Sequence, residues 1–274
     1  MGDLSDIDVL AKGMRGADRV IHAAADTNHG QPTAEQIETN LGGARNVYQA
    51  ALKAGAKRAL HLSTEAVLLG GPSLINADET TPYPKTFGGA YSETKAKAEQ
   101  IALGFSGDDL DILVMRPRFI WGRDDTTALP QLIEAAKSGK LAWIDGGTYL
   151  TSTTHIANVV HGIALILEKG HNGEVYHITD GAHVGFRNFI SDLLRAGGAN
   201  APTKAVPRWL VKPVVQLGEV LAKLTAGRLH GPMSMQEYAT LGVEVTLDIT
   251  KAHKHLGYRP IMTIEDGMKE LAGG

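Results

Sequence analysis

The chain has 274 residues, of which 43% are hydrophobic and 21% charged, and its formal net charge is −3. This size and composition are those of one large or two modest soluble domains with a hydrophobic core. The small negative charge and the lack of a long basic run argue against nucleic acid as a partner, and the lack of cysteine excludes disulfides, thiolate metal sites and cysteine nucleophiles.

The first residues carry no targeting signal. Residues 1–6 contain neither a basic segment nor an apolar one, so no signal peptide is predicted. No apolar run reaches the length of a membrane span. Together with the absence of cysteine, this leads us to expect a cytoplasmic protein.

Predicted strands alternate with predicted helices in the first part of the chain. A buried strand over residues 18–25 ends in small side chains, and the amphipathic pattern over residues 35–54 predicts a helix that Gly55 closes. The elements that follow are a strand over residues 57–63, a loop rich in glycine and proline over 70–89, a helix over 91–105 and a strand over 111–115. This alternation predicts βαβ units, a parallel sheet and an α/β fold.

The pattern loosens after residue 125, so we divide the chain into residues 1–125 and 126–274. The second part is predicted to be a smaller, mostly helical region, interleaved with the sheet. Its predicted elements are helices over residues 128–138, 155–169 and 186–196 and strands over 141–145 and 174–179.

Residues 207–224 form a separate amphipathic segment. Apolar residues recur at helical spacing. They are Leu210, Val214, Leu217, Leu221 and Leu224. The pattern is typical of a helix that covers a core, and it is also compatible with an apolar lid over a lipophilic substrate or with a shallow membrane contact.

Tyr91 and Lys95 are four residues apart at the start of a predicted helix, so their side chains share one face. A phenol with a pKa of about 10 is a poor acid–base catalyst near neutrality. A fixed neighbouring ammonium favours phenolate, and we therefore expect Lys95 to lower the pKa of Tyr91.

Three predicted strand ends carry residues suited to chemistry. They are Ala23–Ala25, Ser63 with Thr64, and Arg116 with its following residues. These ends become neighbours at one edge of a parallel sheet, and Tyr91 would face the same crevice. A hydroxyl, a phenol and an ammonium can then surround one carbonyl or carbinol oxygen, which suits hydride transfer.

Taken together, these segments resemble an extended short-chain dehydrogenase/reductase, of the NAD-dependent epimerase/dehydratase superfamily. The 3β-hydroxysteroid and sterol dehydrogenase branch is the most similar. The stretches that carry the resemblance are residues 2–4, 18–24, 40–47, 63–67, 91–95, 116–122, 154–160, 248–252 and 256–260. They occur in the family's order over nearly the whole chain.

The resemblance implies a nicotinamide cofactor, NAD or NADP, and a role for each matching residue. Tyr91 would be the general acid/base, Lys95 would hold the nicotinamide ribose, and Thr64 would bind the reacting oxygen. The residues implied at the cofactor are Asp3, Leu4, Ala23, Ala24, Ala25, Asn40, Ser63, Tyr91, Lys95 and Pro117; those implied at the substrate are Thr64, Glu65 and Arg118. His155 and Asn158 are expected to position the smaller region, and relatives suggest a homodimer built through the Tyr91 helix.

The family's opening strand and Gly-x-x-Gly-x-x-Gly turn have no match here. The turn normally lets the backbone approach a pyrophosphate at a helix N-terminus. From the sequence we expect an N-terminally truncated Rossmann-like sheet lacking on the order of 60 residues, with an exposed edge at Val20 and weakened cofactor binding and catalysis.

Three other functions stay open. A nucleotide-sugar epimerase or dehydratase would use the same catalytic set, with Arg118, Arg123 or Arg187 on the diphosphate. A non-catalytic binding protein would keep the fold without the phosphate loop. A metal enzyme fits worst, since the histidines show no His-Glu-x-x-His pattern.

Overall fold

The computed structural model describes residues 3–28, 33–225 and 228–273. Its strands are β1 (Arg19–His22), β2 (Arg58–Leu62), β3 (Leu74–Ala77), β4 (Asp111–Pro117), β5 (Ile120–Trp121), β6 (Trp143–Ile144), β7 (Leu150–Thr151), β8 (Thr154–His155), β9 (Glu174–Ile178), β10 (Val184–Gly185), β11 (Ala205–Val206) and β12 (Val245–Leu247). Its α-helices are α1 (Ile7–Gly13), α2 (Ala34–Ile37), α3 (Gly43–Ala54), α4 (Ala90–Leu103), α5 (Ala128–Lys137), α6 (Ile156–Lys169), α7 (Phe186–Ala196), α8 (Arg208–Leu224), α9 (Met235–Leu241), α10 (Thr250–Leu256) and α11 (Ile264–Ala272).

The main sheet has four parallel strands in the order β1-β2-β4-β9, which confirms the predicted α/β class. The strand β9 comes from the second part of the chain, so that part contributes to the main sheet. β1 lies at one edge of the described sheet; Val20 is buried in it, while Ile21 is 49% exposed on its other face.

Helices cover both faces of this sheet. On one face α3 and α4 bury alanine and valine side chains against the strands, and on the other α6 and α10 pack against Leu60, Leu113 and Met115. Short apolar side chains on α3 and α4 let these helices lie close to the strands, and the layered α/β packing follows.

The helix predicted over residues 35–54 contains a π-helical segment, Glu38–Gly42, between α2 and α3. A π turn inserts one extra residue and rotates the helix face before it. Ala44, Tyr48 and Ala51 are therefore buried as the pattern predicted, whereas Ile37, from the same stripe, is 45% exposed.

Small sheets lie beside the main one, with most of their strands from the second part of the chain. Their strand orders are β10-β7-β12-β3, β11-β6 and β5-β8. The strand β3 lies inside the segment predicted as a loop, because its partner β12 is far along the chain and pairs Val245 with Leu74. Within the part of the chain that the structure describes, no helix is long and apolar enough to cross a bilayer.

Candidate active site

The carboxyl ends of β1, β2 and β4 meet at one edge of the main sheet, because the three strands are parallel and in register. Ala23, Ser63 and Arg118 come directly after these ends. Tyr91 lies in the first turn of α4. In the chain, this helix comes after β2 and the short strand β3 and before β4. The structure thus brings together the three strand ends singled out in the sequence.

The Thr64 side chain is close enough to the Tyr91 phenol to affect its pKa. Thr64 also donates its proton to a Glu65 carboxylate oxygen at 2.8 Å and accepts from the amide of Ala66. A hydroxyl has one proton, and in this geometry Thr64 gives it to Glu65.

The pKa of Tyr91 moves in the direction opposite to the expected one. Burial raises the pKa of the phenol, the Glu65 carboxylate raises it further, and the hydrogen bond with Thr64 lowers it by less. The Tyr91 phenol is therefore protonated at neutral pH. The expectation that its pKa would be lowered overall is corrected.

Lys95 lies one helical turn after Tyr91 and is 5% exposed. Its ammonium donates to the carbonyl of Leu62, the last residue of β2, at 2.8 Å. Burial lowers the pKa of Lys95 to about 8, against an opposing effect of Glu99. An ammonium has three N–H donors, and the described residues supply one acceptor for them.

A buried polar network beneath the site holds Ser63 away from solvent. Ser63 donates to Glu99, which is also bound by Arg116 at 3.0 Å and by the Tyr83 hydroxyl at 2.7 Å. Burial, the largest effect, raises the pKa of Glu99, but the bonds to Arg116 and its charge leave it lowered overall. Ser63 thus links the end of β2 to α4, and no sequence pattern pointed to Glu99 or Tyr83.

Asn40 lies in the π-helical segment and is 2% exposed. Its amide exchanges two hydrogen bonds with the backbone of Asp26, at 2.8 and 3.1 Å, and donates to Thr94 at 3.1 Å. Asn40 therefore fixes the loop after β1 against α4. In that loop Ala23 and Ala24 are exposed and Ala25 is partly buried, so small side chains line this edge.

Asp3 and Leu4 lie beside the start of α3. The Leu4 carbonyl accepts from Asn46 at 2.9 Å, and a Cβ at Gly43 would come within 2.8 Å of the Leu4 side chain. The glycine is what allows this close approach. Asp3 is exposed and accepts from the amide of Ser5.

Glu65 and Arg118 form a buried ion pair at 2.5 Å. The guanidinium of Arg118 also donates to Thr151 at 3.1 Å and to the Thr240 carbonyl at 2.8 Å, and the residue is 1% exposed. Both side chains are thus engaged with each other and with the surrounding fold, and the substrate contact expected for them stays a prediction. Pro117, the last residue of β4, is buried as well.

The turn into α6 is also held by internal bonds. Asn158 binds the Asp180 carboxylate at 2.8 Å and the backbone of Ile261 and Met262. His155 precedes α6 and caps it. No cluster of three or more histidine or acidic residues within 3–28, 33–225 and 228–273 has the geometry of a metal site.

Comparison with known proteins relates this chain to a family. Residues 1–208 match the 3-beta hydroxysteroid dehydrogenase/isomerase family. A 4-hydroxy-2-methyl-3-oxo-4-farnesyl-3,4-dihydroquinoline-1-oxide ketoreductase of Stigmatella aurantiaca is 42% identical over 99% of this chain and 81% of its own. A 3beta-hydroxysteroid-dehydrogenase/decarboxylase of Arabidopsis thaliana is 32% identical over 97% of this chain, which spans 64% of that protein.

Solved structures agree on the fold. The crystal structure of gox2253 is 28% identical with a TM-score of 0.77, and covers 99% of this chain and 82% of its own. A dTDP-glucose 4,6-dehydratase from Streptomyces venezuelae with NAD and TYD bound is 25% identical, with a TM-score of 0.74 over 99% of this chain and 77% of its own.

Proposed function

Because the chain belongs to the 3-beta hydroxysteroid dehydrogenase/isomerase family, a family of NAD(P)-dependent oxidoreductases, we propose that it interconverts a ring ketone and a secondary alcohol on a lipophilic substrate. The observation that supports this most is the Tyr91 phenol, whose pKa responds to the Thr64 hydroxyl and which lies one helical turn from a buried lysine. These are the groups that a carbonyl oxygen needs when it gains a proton.

The residues at the sheet edge suit the nicotinamide half of the cofactor. Lys95 is a buried ammonium with donors left for ribose hydroxyls, and Ala23 and Ala24 leave room for a flat ring system beside the backbone. We assign Lys95 to the ribose, the Ala23–Ala25 loop to the cofactor's path, and Asp3 with Leu4 to the adenine side. The bound nicotinamide supplies the hydride.

The protein's own residues manage the proton. In the reducing direction Tyr91 would transfer its phenol proton to the carbonyl oxygen, and Thr64 would turn its hydroxyl from Glu65 towards the same oxygen. The buried cation of Lys95 then stabilises the phenolate that remains. Glu65, held by Arg118, keeps the phenol protonated until a carbonyl arrives.

The lipophilic substrate class rests on two observations. Tyr91 packs against an apolar cluster that includes Ile144, Val215 and Tyr238, so the space beside the phenol is apolar. The relatives named above are, by their names, a ketoreductase for a farnesylated quinoline oxide and a hydroxysteroid dehydrogenase. We therefore propose a prenylated or steroid-like ring.

No observation favours the nucleotide-sugar alternative to the same degree. A sugar diphosphate needs accessible cations. Arg118 is used by its buried ion pair, and the guanidinium of Arg187 lies over the Trp143 ring at 5.4 Å, so of the three arginines considered only the exposed Arg123 is left for a diphosphate. The predicted homodimer and the division at residue 125 stay predictions.

The test is a turnover assay that measures the loss of reduced nicotinamide. It uses NADH and NADPH, each with prenylated quinolone ketones, 3-ketosteroids and UDP- or dTDP-glucose as substrates. We expect turnover of the lipophilic ketones and a fall of about 10²–10⁴-fold in kcat for Tyr91→Phe, the range of general acid catalysis. The matched control is Tyr176→Phe, which removes a buried hydroxyl from the opposite face of the sheet. Equal activity of Tyr91→Phe and Tyr176→Phe, or turnover of sugar nucleotides alone, would refute the proposal.

A further inference from the structure

A groove of about 410 Å³ lies along the outer side of α6, beside the segment that leads into α11. Ile156, Val160 and Ala164 line it from α6, and Ile261 and Met262 line it from the other side. Its volume falls in the range of about 300–1,000 Å³ that is typical of small-molecule sites. The helix α6 covers the face of the main sheet opposite to α4, so this groove is separate from the candidate active site.

The walls of the groove are apolar and exposed. Ile156 is 39% exposed, Val160 60% and Ile261 64%. Val160 follows Ile156 by one helical turn, so both side chains lie on the same face of α6. Single exposed hydrophobic side chains are ordinary on a protein surface, whereas apolar side chains gathered on both sides of a groove indicate a binding site. The part of a ligand that lies between them must be apolar.

His155 brings a polar group to the same groove. Its ring is 1% exposed and packs edge-to-face against Trp121, with the ring centroids 4.7 Å apart. Its Nδ1 accepts from the amide of Ala157 at 3.2 Å, and burial lowers the pKa of the ring. The ring is therefore neutral and carries its proton on Nε2. This buried N–H has no hydrogen-bond partner among the described residues, although buried donors are nearly always paired.

The carboxylate of Glu270, on α11, lies next to this N–H. Its Oε2 is 3.5 Å from Nε2 of His155, which is longer than the distance of about 2.7–3.2 Å in an ordinary hydrogen bond. Gly267, on the same helix, allows this approach, because a Cβ there would come within 2.8 Å of the His155 ring. The Glu270 side chain is 37% exposed, so it can turn outward when a ligand enters. The groove thus contains one donor and one acceptor side by side.

We propose that this groove binds a lipophilic alcohol, with the hydroxyl between His155 and Glu270 and the hydrocarbon between α6 and Ile261. A hydroxyl both accepts and donates a hydrogen bond, so it can accept from Nε2–H and donate to the carboxylate. One oxygen can lie about 2.8 Å from each of two atoms that are 3.5 Å apart. The ligand then supplies the partner that the buried N–H lacks.

Other groups match this pair of side chains less well. A ketone or carboxylate oxygen accepts from His155 but faces the negative charge of Glu270, and an ammonium attracts Glu270 but meets the N–H of His155. A water molecule can bridge the two side chains, but it leaves the apolar walls in contact with solvent. An alcohol with an apolar body satisfies both parts of the groove.

The experiment is an NMR titration of the full chain, without nicotinamide, with 4-cyclohexylcyclohexanol, the matching 4-cyclohexylcyclohexanone, and 1-decanol. We expect the ring alcohol to shift the Nε2–H signal of His155, which is identified by its absence in His155→Phe. It should bind about tenfold or more tightly than the ketone, because a ketone cannot donate to the charge of Glu270. Tighter binding of 1-decanol would indicate a fatty alcohol as the ligand, and tighter binding of the ring compound a ring alcohol; both results support the site.

Variants test the polar and the apolar part of the groove separately. Glu270→Leu should remove the preference for the alcohol over the ketone, whereas Glu270→Gln should keep part of it, because its carbonyl still accepts. Val160→Glu should weaken binding about tenfold or more, since it places a charge against the hydrocarbon. The matched control is Ile75→Glu, which places the same charge at a side chain that is 67% exposed on β3 and should leave binding unchanged.

Equal affinities for the alcohol and the ketone, equal losses for Val160→Glu and Ile75→Glu, or no binding by the unchanged chain would overturn the proposal. So would loss of the His155 shift in Tyr91→Phe, because the alcohol would then act through the candidate active site. Circular dichroism of each variant confirms that it is folded, and Val160 and Glu270 are both exposed. This site goes beyond the proposed function and does not rest on it, since no turnover is measured.

Discussion

At the scale of single residues, the site is governed by the opposed surroundings of Tyr91 and Lys95. Tyr91 has its pKa raised by burial and by Glu65, while burial lowers the pKa of Lys95 to about 8. Both groups are thus moved towards their neutral forms by the same loss of water. Of the two groups, Lys95 is the one whose charge changes near neutral pH, because its pKa is about 8.

We expect cofactor affinity to fall as the pH rises through the pKa of Lys95. Below about 8 the ammonium is present and can donate to ribose hydroxyls; above it the charge is lost. Hydrogen bonds to charged groups contribute about 1.5–3 kcal/mol, so NADH affinity should drop about tenfold or more across this range. Fluorescence titration with NADH on both sides of the pKa measures it.

Lys95→Arg should remove this pH dependence, because a guanidinium stays charged. Lys97→Arg is the matched control: Lys97 is exposed and pairs with Glu93. An NADH affinity that does not change with pH in the unchanged chain would show that Lys95 does not bind the cofactor.

Glu65→Gln is expected to destabilise the fold, because it leaves the Arg118 cation buried without its counterion. Breaking a buried pair by removing one partner costs about 3–5 kcal/mol, whereas Glu65→Gln combined with Arg118→Met should recover part of that loss. The free energy of unfolding in urea measures both variants. The control is Glu93→Gln, in a half-exposed pair with Lys97, which should cost less than about 1 kcal/mol. Equal costs for the two single variants would contradict a buried, positioning pair.

At the scale of secondary-structure elements, local sequence patterns predicted most helices and main-sheet strands but not which distant strands and side chains pair. Period 3.6 located α4, α6 and α7, and apolar runs located the four strands of the main sheet. The strand β3 could not be found in this way, because Leu74 pairs with Val245 across most of the chain. The ion pairs of Glu65 and Glu99 were missed for the same reason, since a sequence does not show which buried charges meet. The π turn at Asn40 also leaves no periodic signal, although it places the Asn40 amide between the loop after β1 and the helix α4.

The Arg58 side chain, at the start of β2, forms hydrogen bonds with the end of the helix α6. Arg58 donates to the carbonyls of Leu167 at 2.7 Å and Glu168 at 3.1 Å, and to that of Gly170, at the C-terminal end of α6. These carbonyls lack partners within the helix, and they carry its negative dipole.

Arg58→Met should therefore lower the free energy of unfolding by about 1–3 kcal/mol, the cost of leaving such groups unsatisfied. Thermal unfolding compares it with Lys53→Met, which removes an exposed ion pair with Asp8 and should have little effect. If both variants unfold at the same temperature, the cap contributes nothing to stability.

At the scale of the whole molecule, buried histidines should make the fold sensitive to acid. His22, His61 and His177 lie in three strands of the main sheet and are at most 5% exposed. Burial lowers the pKa of His22 and of His177 to about 4, with Lys95 adding to the effect on His22 and Arg116 to that on His177; burial lowers the pKa of His61 as well.

Each of these histidines is neutral in the folded chain, while in the unfolded chain it binds a proton below its ordinary pKa of about 6.5. The unfolded state therefore holds more protons between about pH 6.5 and 4, and the free energy of unfolding must fall as the pH falls through this window. Each group contributes up to about 1.4 kcal/mol per pH unit. Urea unfolding at several pH values should show this slope, and His177→Asn should make it shallower, while replacement of the exposed His230 should not. A stability that is constant from neutral pH to about 4 would mean that these histidines are not neutral in the folded chain.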